Sequence, residues 1–259
     1  MDMGLEGRKV LITGASQGIG EGLARSFAAE GCELFLVARS ADKLAAVAAA
    51  TQERHGVSVH TLPIDMTVPG ALDAVMGFAE GADVLVNNAG NIPGGNLWDV
   101  DEVAWRQGWE LKVFGYINLT RTMYAAMKRR GGGVILNNIG NGGENFDFNY
   151  IAGSTGNAAL MAFTRALGGR SLDDRIRVVG VNPGPVDTDR IKKVLRSHAQ
   201  RTLGDAARSA ELLSAYPLGR PATVDEVAAL FVYLASDRSA YTSGVIITVD
   251  GGLTSKRSV

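Results

Sequence analysis

Val10 to Gly20, VLITGASQGIG, joins a short apolar run to a turn that carries Gly14, Gly18 and Gly20. If the run is a strand and the residues after Gly18 open a helix, the turn between them is a site for the phosphates of a dinucleotide. Gly14 permits the tight turn, Gly18 lets backbone N–H groups come close to a pyrophosphate, and Gly20 lets helix and strand pack together. The helix N-terminus would face the phosphates with unpaired donors and its positive dipole end, so Gly14, Ser16, Gln17, Gly18, Ile19 and Gly20 are the expected phosphate contacts. An ordinary strand-to-helix turn would use the same glycines, and the rest of the chain decides between the two.

Outward from that turn, short β-rich runs alternate with longer Ala/Leu-rich segments, the rhythm of a parallel sheet covered on both faces. Strands are expected at Lys9–Thr13, Glu33–Ala38, Val57–Leu62, Asp83–Asn87, Gly133–Asn138, Ile176–Asn182 and Val245–Val249. Helices are expected at Ile19–Glu30, Asp42–Arg54, Val68–Glu80, Trp98–Arg129 with an early break, Ser154–Gly168 and Val224–Leu234. About seven strands in this order predict a single-domain, Rossmann-type, doubly wound parallel sheet with helices on both faces, spanning residues 1–259. Thr223 and Glu226 have capping-box spacing at the start of the last long helix. Residues 183–218 contain no clear strand, follow a strand end directly, and read as a mobile helical substrate flap near the sheet's ligand edge.

The chain has 259 residues, 46% hydrophobic and 20% charged, enough to bury the core of one α/β domain. A net charge of −1 without a concentrated basic stretch argues against nucleic acid as a partner. Lys128–Arg130 and Arg190–Arg196 read as solvated helix ends. The single cysteine, Cys32, excludes an internal disulfide framework and a multi-cysteine metal site, and no metal is expected. A reducing, cytoplasmic location follows as the expectation, with no membrane partner, because no apolar segment is long enough to span a bilayer and MDMGLEGRKV lacks a signal-peptide core.

In this fold the end of the second strand meets the adenosine ribose. There the sequence reads LVARS, with Ala38 where a carboxylate would accept the ribose hydroxyls and Arg39 next. An arginine can pair with a 2′-phosphate, so NADP(H) is favoured over NAD(H), unless Arg39 is only a surface side chain opening the next helix.

TGASQGIG at Thr13–Gly20, Asp65 after the third strand, NNAG at Asn87–Gly90, NPGPVDT at Asn182–Thr188, and GRP, LASD, TSG and VDGG between Gly219 and Gly252 together resemble the short-chain dehydrogenase/reductase family, in its order and across essentially the whole chain. The resemblance implies that Asp65 and Met66 border the adenine, that Asn88, Ala89 and Gly90 line the adenosine side, and that Pro183, Gly184, Val186 and Thr188 hold the nicotinamide end. For Asn88 a turn that ties strands together is an equal reading. The closing TVDGGLTS segment implies, by the same resemblance, a homodimer or homotetramer.

Members of the family transfer a hydride between nicotinamide and a carbonyl or alcohol carbon, using a Tyr-x-x-x-Lys pair, a serine thirteen residues before the tyrosine, and an asparagine on the preceding long helix. A free phenol titrates near 10, so the lysine ammonium is what favours phenolate near neutrality. The run NAALMAFTRAL, Asn157 to Leu167, resembles the family's helix without a gap and sets Asn157 on the lysine position. Counting back puts Gly153 on the tyrosine position and Gly140 on the serine position, while ELKVFGYINLT sets Lys112 on the asparagine position. All four depart from the pattern. The one intact Tyr-x-x-x-Lys, Tyr124 to Lys128, lies at the far end of the long helix and is rejected as a site.

Three candidates remain for the chemistry. Lys112 and Asn157 look exchanged, so an ammonium can reach the relay from the opposite helix; a lysine that snorkels to solvent or holds a dimer contact is the alternative. Tyr150, three residues before the vacated position, can donate a proton if its loop folds inward, or serve as an aromatic lid or subunit contact. Asn137, Asn138, Asn141, Asn145 and Asn149 lie in a glycine-rich stretch at a strand's carboxyl end, either orienting a polar substrate or forming a flexible loop. His55 and His60 lie away from the nicotinamide end, and His198 reads as surface. The expected function is NADP(H)-dependent hydride transfer on a small carbonyl or alcohol through a non-standard proton relay. A catalytically weak or inactive dinucleotide-binding scaffold or sensor, and a lyase or isomerase on the same fold, are the alternatives.

Overall fold

The computed structural model describes residues 2–258. Seven parallel strands form one sheet in the order β3-β2-β1-β4-β5-β6-β7: β1 (Lys9–Thr13), β2 (Glu33–Ala38), β3 (Val59–Pro63), β4 (Val84–Asn87), β5 (Gly133–Asn138), β6 (Ile176–Pro183) and β7 (Ile246–Val249). The chain winds outward from β1 in one direction and then, from β4, in the other. The reversal between β1 and β4 opens a crevice at the strands' carboxyl ends, where doubly wound folds bind ligands.

Period-two alternation along the strands serves both faces at once. Val10 and Ile12 of β1 point into one apolar layer with Leu23 and Phe27 of α1 (Gly18–Ala29), Leu44 of α2 (Ala41–His55) and Phe231 of α8 (Val224–Ala235). Leu11, between them, points into the other layer with Val75 of α3 (Ala71–Phe78) and Leu119, Met123 and Met127 of α5 (Gly115–Arg130). Each such fully buried side chain contributes about 1.5–3 kcal/mol of transfer free energy. The remaining helices are α4 (Glu102–Trp109), α6 (Ile151–Gly168) and α7 (Asp189–Leu203). Thr223 and Glu226 form the expected reciprocal capping box at the start of α8.

Two segments differ from the sequence reading, each for a local reason. The expected Val68–Glu80 helix starts at Ala71, because Pro69 and Gly70 form a turn with Gly70 at φ +82°. The Trp98–Arg129 helix starts at Glu102 behind the Asp101 cap and has no break: a π-helical turn, Glu110–Phe114, carries α4 directly into α5. Residues 183–218 hold α7 and a 3-10 segment, Ala206–Ala215. No helix among the described residues is long and apolar enough to cross a membrane.

Candidate active site

The glycine turn is tight for a steric reason. Gly14 sits at φ +67°, and a Cβ there would come 2.8 Å from the Ala89 Cα; a Cβ on Gly20 would fall onto the Gly14 carbonyl oxygen. No side chain caps α1 behind Gln17, so its first-turn N–H groups face the crevice. Asn88 is the clasp of this end. Its Nδ2 donates to the Thr13 and Gly14 carbonyls at 3.0 and 3.1 Å, while its Oδ1 accepts from Asn138 Nδ2 at 2.7 Å, joining β1, β4 and β5. The Thr13 hydroxyl accepts the Asn88 and Ala89 N–H groups. Across the opening, Thr188 lies against Gly18, with Cγ2 3.3 Å from where a Cβ would stand. Gly184 N–H is anchored on the Val249 carbonyl, and Val186 is buried and paired with Ala222.

At the adenosine end, Arg39 is exposed and lies 3.8 Å from Asp65. Thr67 donates its N–H and hydroxyl to the Asp65 carboxylate, which holds that group below its ordinary value, with Arg39 adding to the effect. Met66 is half-buried beside the second apolar layer. Lys43 reaches Gln17 at 3.0 Å and adds a second cation between α2 and the glycine turn.

Three successive carbonyls leave the end of β5, and three side chains from two helices meet them. Tyr116 Oη donates to Asn138 O at 3.0 Å, Lys112 Nζ to Ile139 O at 2.5 Å, and Asn157 Nδ2 to Gly140 O at 3.4 Å. The π turn Glu110–Phe114 carries Lys112, whose stem lies against Gly90, 2.9 Å from where a Cβ would be. Lys112 is buried, and burial, with Arg190 nearby, lowers its ammonium to about 7. Burial likewise holds the Tyr116 phenol protonated. Asn157 Oδ1 is buried without a partner among the described residues. Lys112 and Asn157, expected to face one another, thus converge on adjacent carbonyls of one strand end.

Tyr150 stands at the first position before α6, held by Gly95 N–H to Asn149 O at 2.7 Å and Ser154 N–H to Tyr150 O at 2.8 Å. Its ring packs with Ile92, Val100 and Ala152, inward of the loop. A Cβ added to Gly153 would fall inside that ring, against Cζ, Cε1 and Cε2. The phenolic oxygen accepts a hydrogen bond from Arg190 Nη2 at 3.2 Å.

Arg190, read from the sequence as part of a solvated helix end, is exposed, and its guanidinium also reaches the Ile92 carbonyl at 3.5 Å. The asparagine stretch needs correction. Asn137 is fully buried and bonds to Asn87 and Thr164, and Asn138 holds Asn88, so both brace the scaffold instead of lining a loop. Asn141 bonds to Asp250, and Asn145 Oδ1 is buried and unpartnered among the described residues. Tyr124 and Lys128 both engage Asp174, at 2.8 and 2.9 Å. Burial and that carboxylate push the Tyr124 phenol up to about 12, which makes this pair unfit as a base. His60 stacks on Phe35 and meets Glu33 at 2.9 Å, a surface arrangement. No cluster of three or more metal-ligating side chains occurs among the described residues. Sequence reading missed Arg190 and Tyr116; their signals were adjacency to Thr188 and the four-residue step from Lys112.

A family model described as enoyl-(acyl carrier protein) reductase matches residues 14–254. The 3-oxoacyl-(acyl-carrier-protein) reductase FabG of Escherichia coli K12 is 31% identical over 262 residues, covering 97% of this chain and 99% of that protein. L-sorbose reductase from Gluconobacter frateurii, solved with NADPH and L-sorbose, superposes with a TM-score of 0.90 at 35% identity, covering 98% of this chain and 99% of the other. A 7α-hydroxysteroid dehydrogenase solved with NADH and 7-oxoglycochenodeoxycholic acid does so with a TM-score of 0.86 at 29% identity, over 96% and 94%.

Proposed function

The chain belongs to the short-chain dehydrogenase/reductase family, and on that premise we propose that it is an NADP(H)-dependent oxidoreductase acting on a small, uncharged carbonyl or alcohol through a rearranged proton relay. The observation that carries this reading is the convergence of Lys112 and Asn157 on the carbonyls that follow β5, with the Tyr150 ring lying over Gly153 of α6 nearby.

The residues present fit a dinucleotide, since Gly14 and Gly20 let the backbone of the turn pack too closely for side chains and the α1 N-terminus has no side-chain cap, which leaves its N–H groups for phosphates. Gly14, Ser16, Gln17, Gly18, Ile19 and Gly20 would hold the phosphates, and Asp65, Met66, Asn88, Ala89 and Gly90 the adenosine. Pro183, Gly184, Val186 and Thr188 would hold the nicotinamide, which supplies or accepts the hydride. Arg39 and Lys43 favour NADP(H), because a 2′-phosphate would meet two cations there and no carboxylate from Ala38. Of the relatives, one was solved with NADPH and another with NADH, so the preference rests on these side chains.

In the reductive direction the substrate oxygen gains a proton as its carbon gains hydride. Tyr150 supplies that proton from the half-buried phenol over Gly153. Lys112, whose ammonium is lowered to about 7 by burial, donates to the Ile139 carbonyl beside the Gly140 carbonyl that Asn157 holds, and can give up or take a proton near neutrality. Residues 183–218 act as the flap over the substrate, and the chain assembles as a homodimer or homotetramer.

Titration of the protein with NADPH and NADH, followed by turnover across ketones, quinones and alcohols, tests this. Tighter binding of NADPH and turnover of at least one substrate are expected. Tight NADPH binding without any turnover would assign a dinucleotide-binding scaffold instead, and failure to bind either dinucleotide would remove the account's first step.

A further inference from the structure

We infer that Arg190 is the positioning residue for the Tyr150 phenol, holding it in the space that a side chain at 153 would fill and stabilising the charge left when the phenol gives up its proton. This rests on the oxidoreductase reading, but its structural half stands independently of turnover. Two observations carry it. Tyr150 enters from outside α6, yet its ring covers the Cα of Gly153 so closely that no side chain can occupy both places. Arg190 comes from the opposite wall, the first turn of α7, and donates Nη2 to Oη at 3.2 Å.

The direction of that hydrogen bond matters. An arginine is a donor only, so it occupies a lone pair of the phenolic oxygen and leaves the O–H free to point at a substrate oxygen. Among the described residues Arg190 pairs with no carboxylate, although Asp187 and Asp189 flank it in sequence; Asp187 is taken by Lys192 at 3.5 Å. The guanidinium is exposed to solvent, and the phenol is its side-chain hydrogen-bond partner among the described residues. Lys112, the other cation here, is spent on the Ile139 carbonyl.

A bound reduced dinucleotide would supply the hydride to the carbonyl carbon, and the C=O π pair would move to oxygen. The Tyr150 O–H bond breaks, its proton forms the new substrate O–H bond, and the electron pair stays on the phenolic oxygen, now an anion accepting a charge-assisted hydrogen bond from Arg190. Water returns the proton. Donation from a guanidinium strengthens as negative charge develops on the acceptor, so the contact acts on the transition state more than on substrate binding.

Two measurements test the two halves. For placement, thermal unfolding is followed in Gly153→Tyr, Tyr150→Gly and the double variant, with no substrate or cofactor. Gly153→Tyr is expected to lower Tm sharply alone and to be tolerated in the Tyr150→Gly background; additive effects would overturn the shared space. For the charge, Arg190→Gln is expected to lower kcat by about 10- to 100-fold with KM and NADPH affinity little changed. Arg190→Lys should restore part of the rate, and added guanidinium should partly rescue Arg190→Gly. A rise in KM with kcat preserved, or a rate unchanged in Arg190→Gln, would overturn the role. Should the wild-type chain turn over nothing, the oxidoreductase reading fails while the thermal cycle still decides the placement.

Discussion

Lys112 combines a residue type that prefers water with a fully buried position, and its ammonium is lowered from 10.5 to about 7 chiefly by burial. The sign of the consequence is fixed by proton counts. Between about pH 7 and 10.5 the unfolded chain keeps this proton and the folded chain does not, so the lysine's contribution to stability rises with pH through that window and is least favourable below it. Lys112→Met removes the dependence. Denaturant unfolding at several pH values is expected to show the variant gaining on the wild type as pH falls towards 7, whereas a pH-independent difference would mean that the ammonium is solvated. A side chain at Gly140 is strained. Gly140 lies at φ +113°, which L side chains rarely adopt, and a Cβ there would stand 3.3 Å from Asn157 Nδ2.

Elements, more than single side chains, set where these groups point. The π turn between α4 and α5 carries Lys112, and Lys112 and, one turn on, Tyr116 meet consecutive carbonyls at the end of β5. At the other end of the sheet, β6 supports α8 through Arg177, a buried guanidinium that satisfies the Leu234, Ala235 and Ser236 carbonyls and the Ser239 hydroxyl. These are the last carbonyls of the helix, which have no intrahelical partner. Arg177→Met keeps much of the volume and removes every donor. Ser239 also donates to the Leu234 and Ser236 carbonyls, so the Ala235 carbonyl is the one left unpaired, and the variant is expected to lose about 1–3 kcal/mol in denaturant unfolding. A loss well under 1 kcal/mol would show that water replaces the arginine.

At the scale of the whole molecule, the sheet was readable because its signals are local and periodic: apolar runs such as Val10–Thr13, the glycine turn, and the Thr223 capping box each appear in the chain where they appear in space. The cofactor crevice was equally readable, since Gly14, Gly20 and Asn88 act through backbone that adjacent residues specify. The chemistry was less so. Arg190 lies forty residues from Tyr150 and meets it only across the crevice, and the π turn leaves no periodic mark distinct from a broken helix. Asn137 and Asn138 look like loop residues by type, yet strand pairing and buried amide bonds hold them in the interior. In the proposed relay Tyr150 serves as the proton donor. Its most direct test is the single-turnover oxidation of bound NADPH by a substrate of the wild-type enzyme, compared with Tyr150→Phe. The rate should fall by about 10²- to 10⁴-fold with NADPH affinity unchanged, and an unaltered rate would contradict the account.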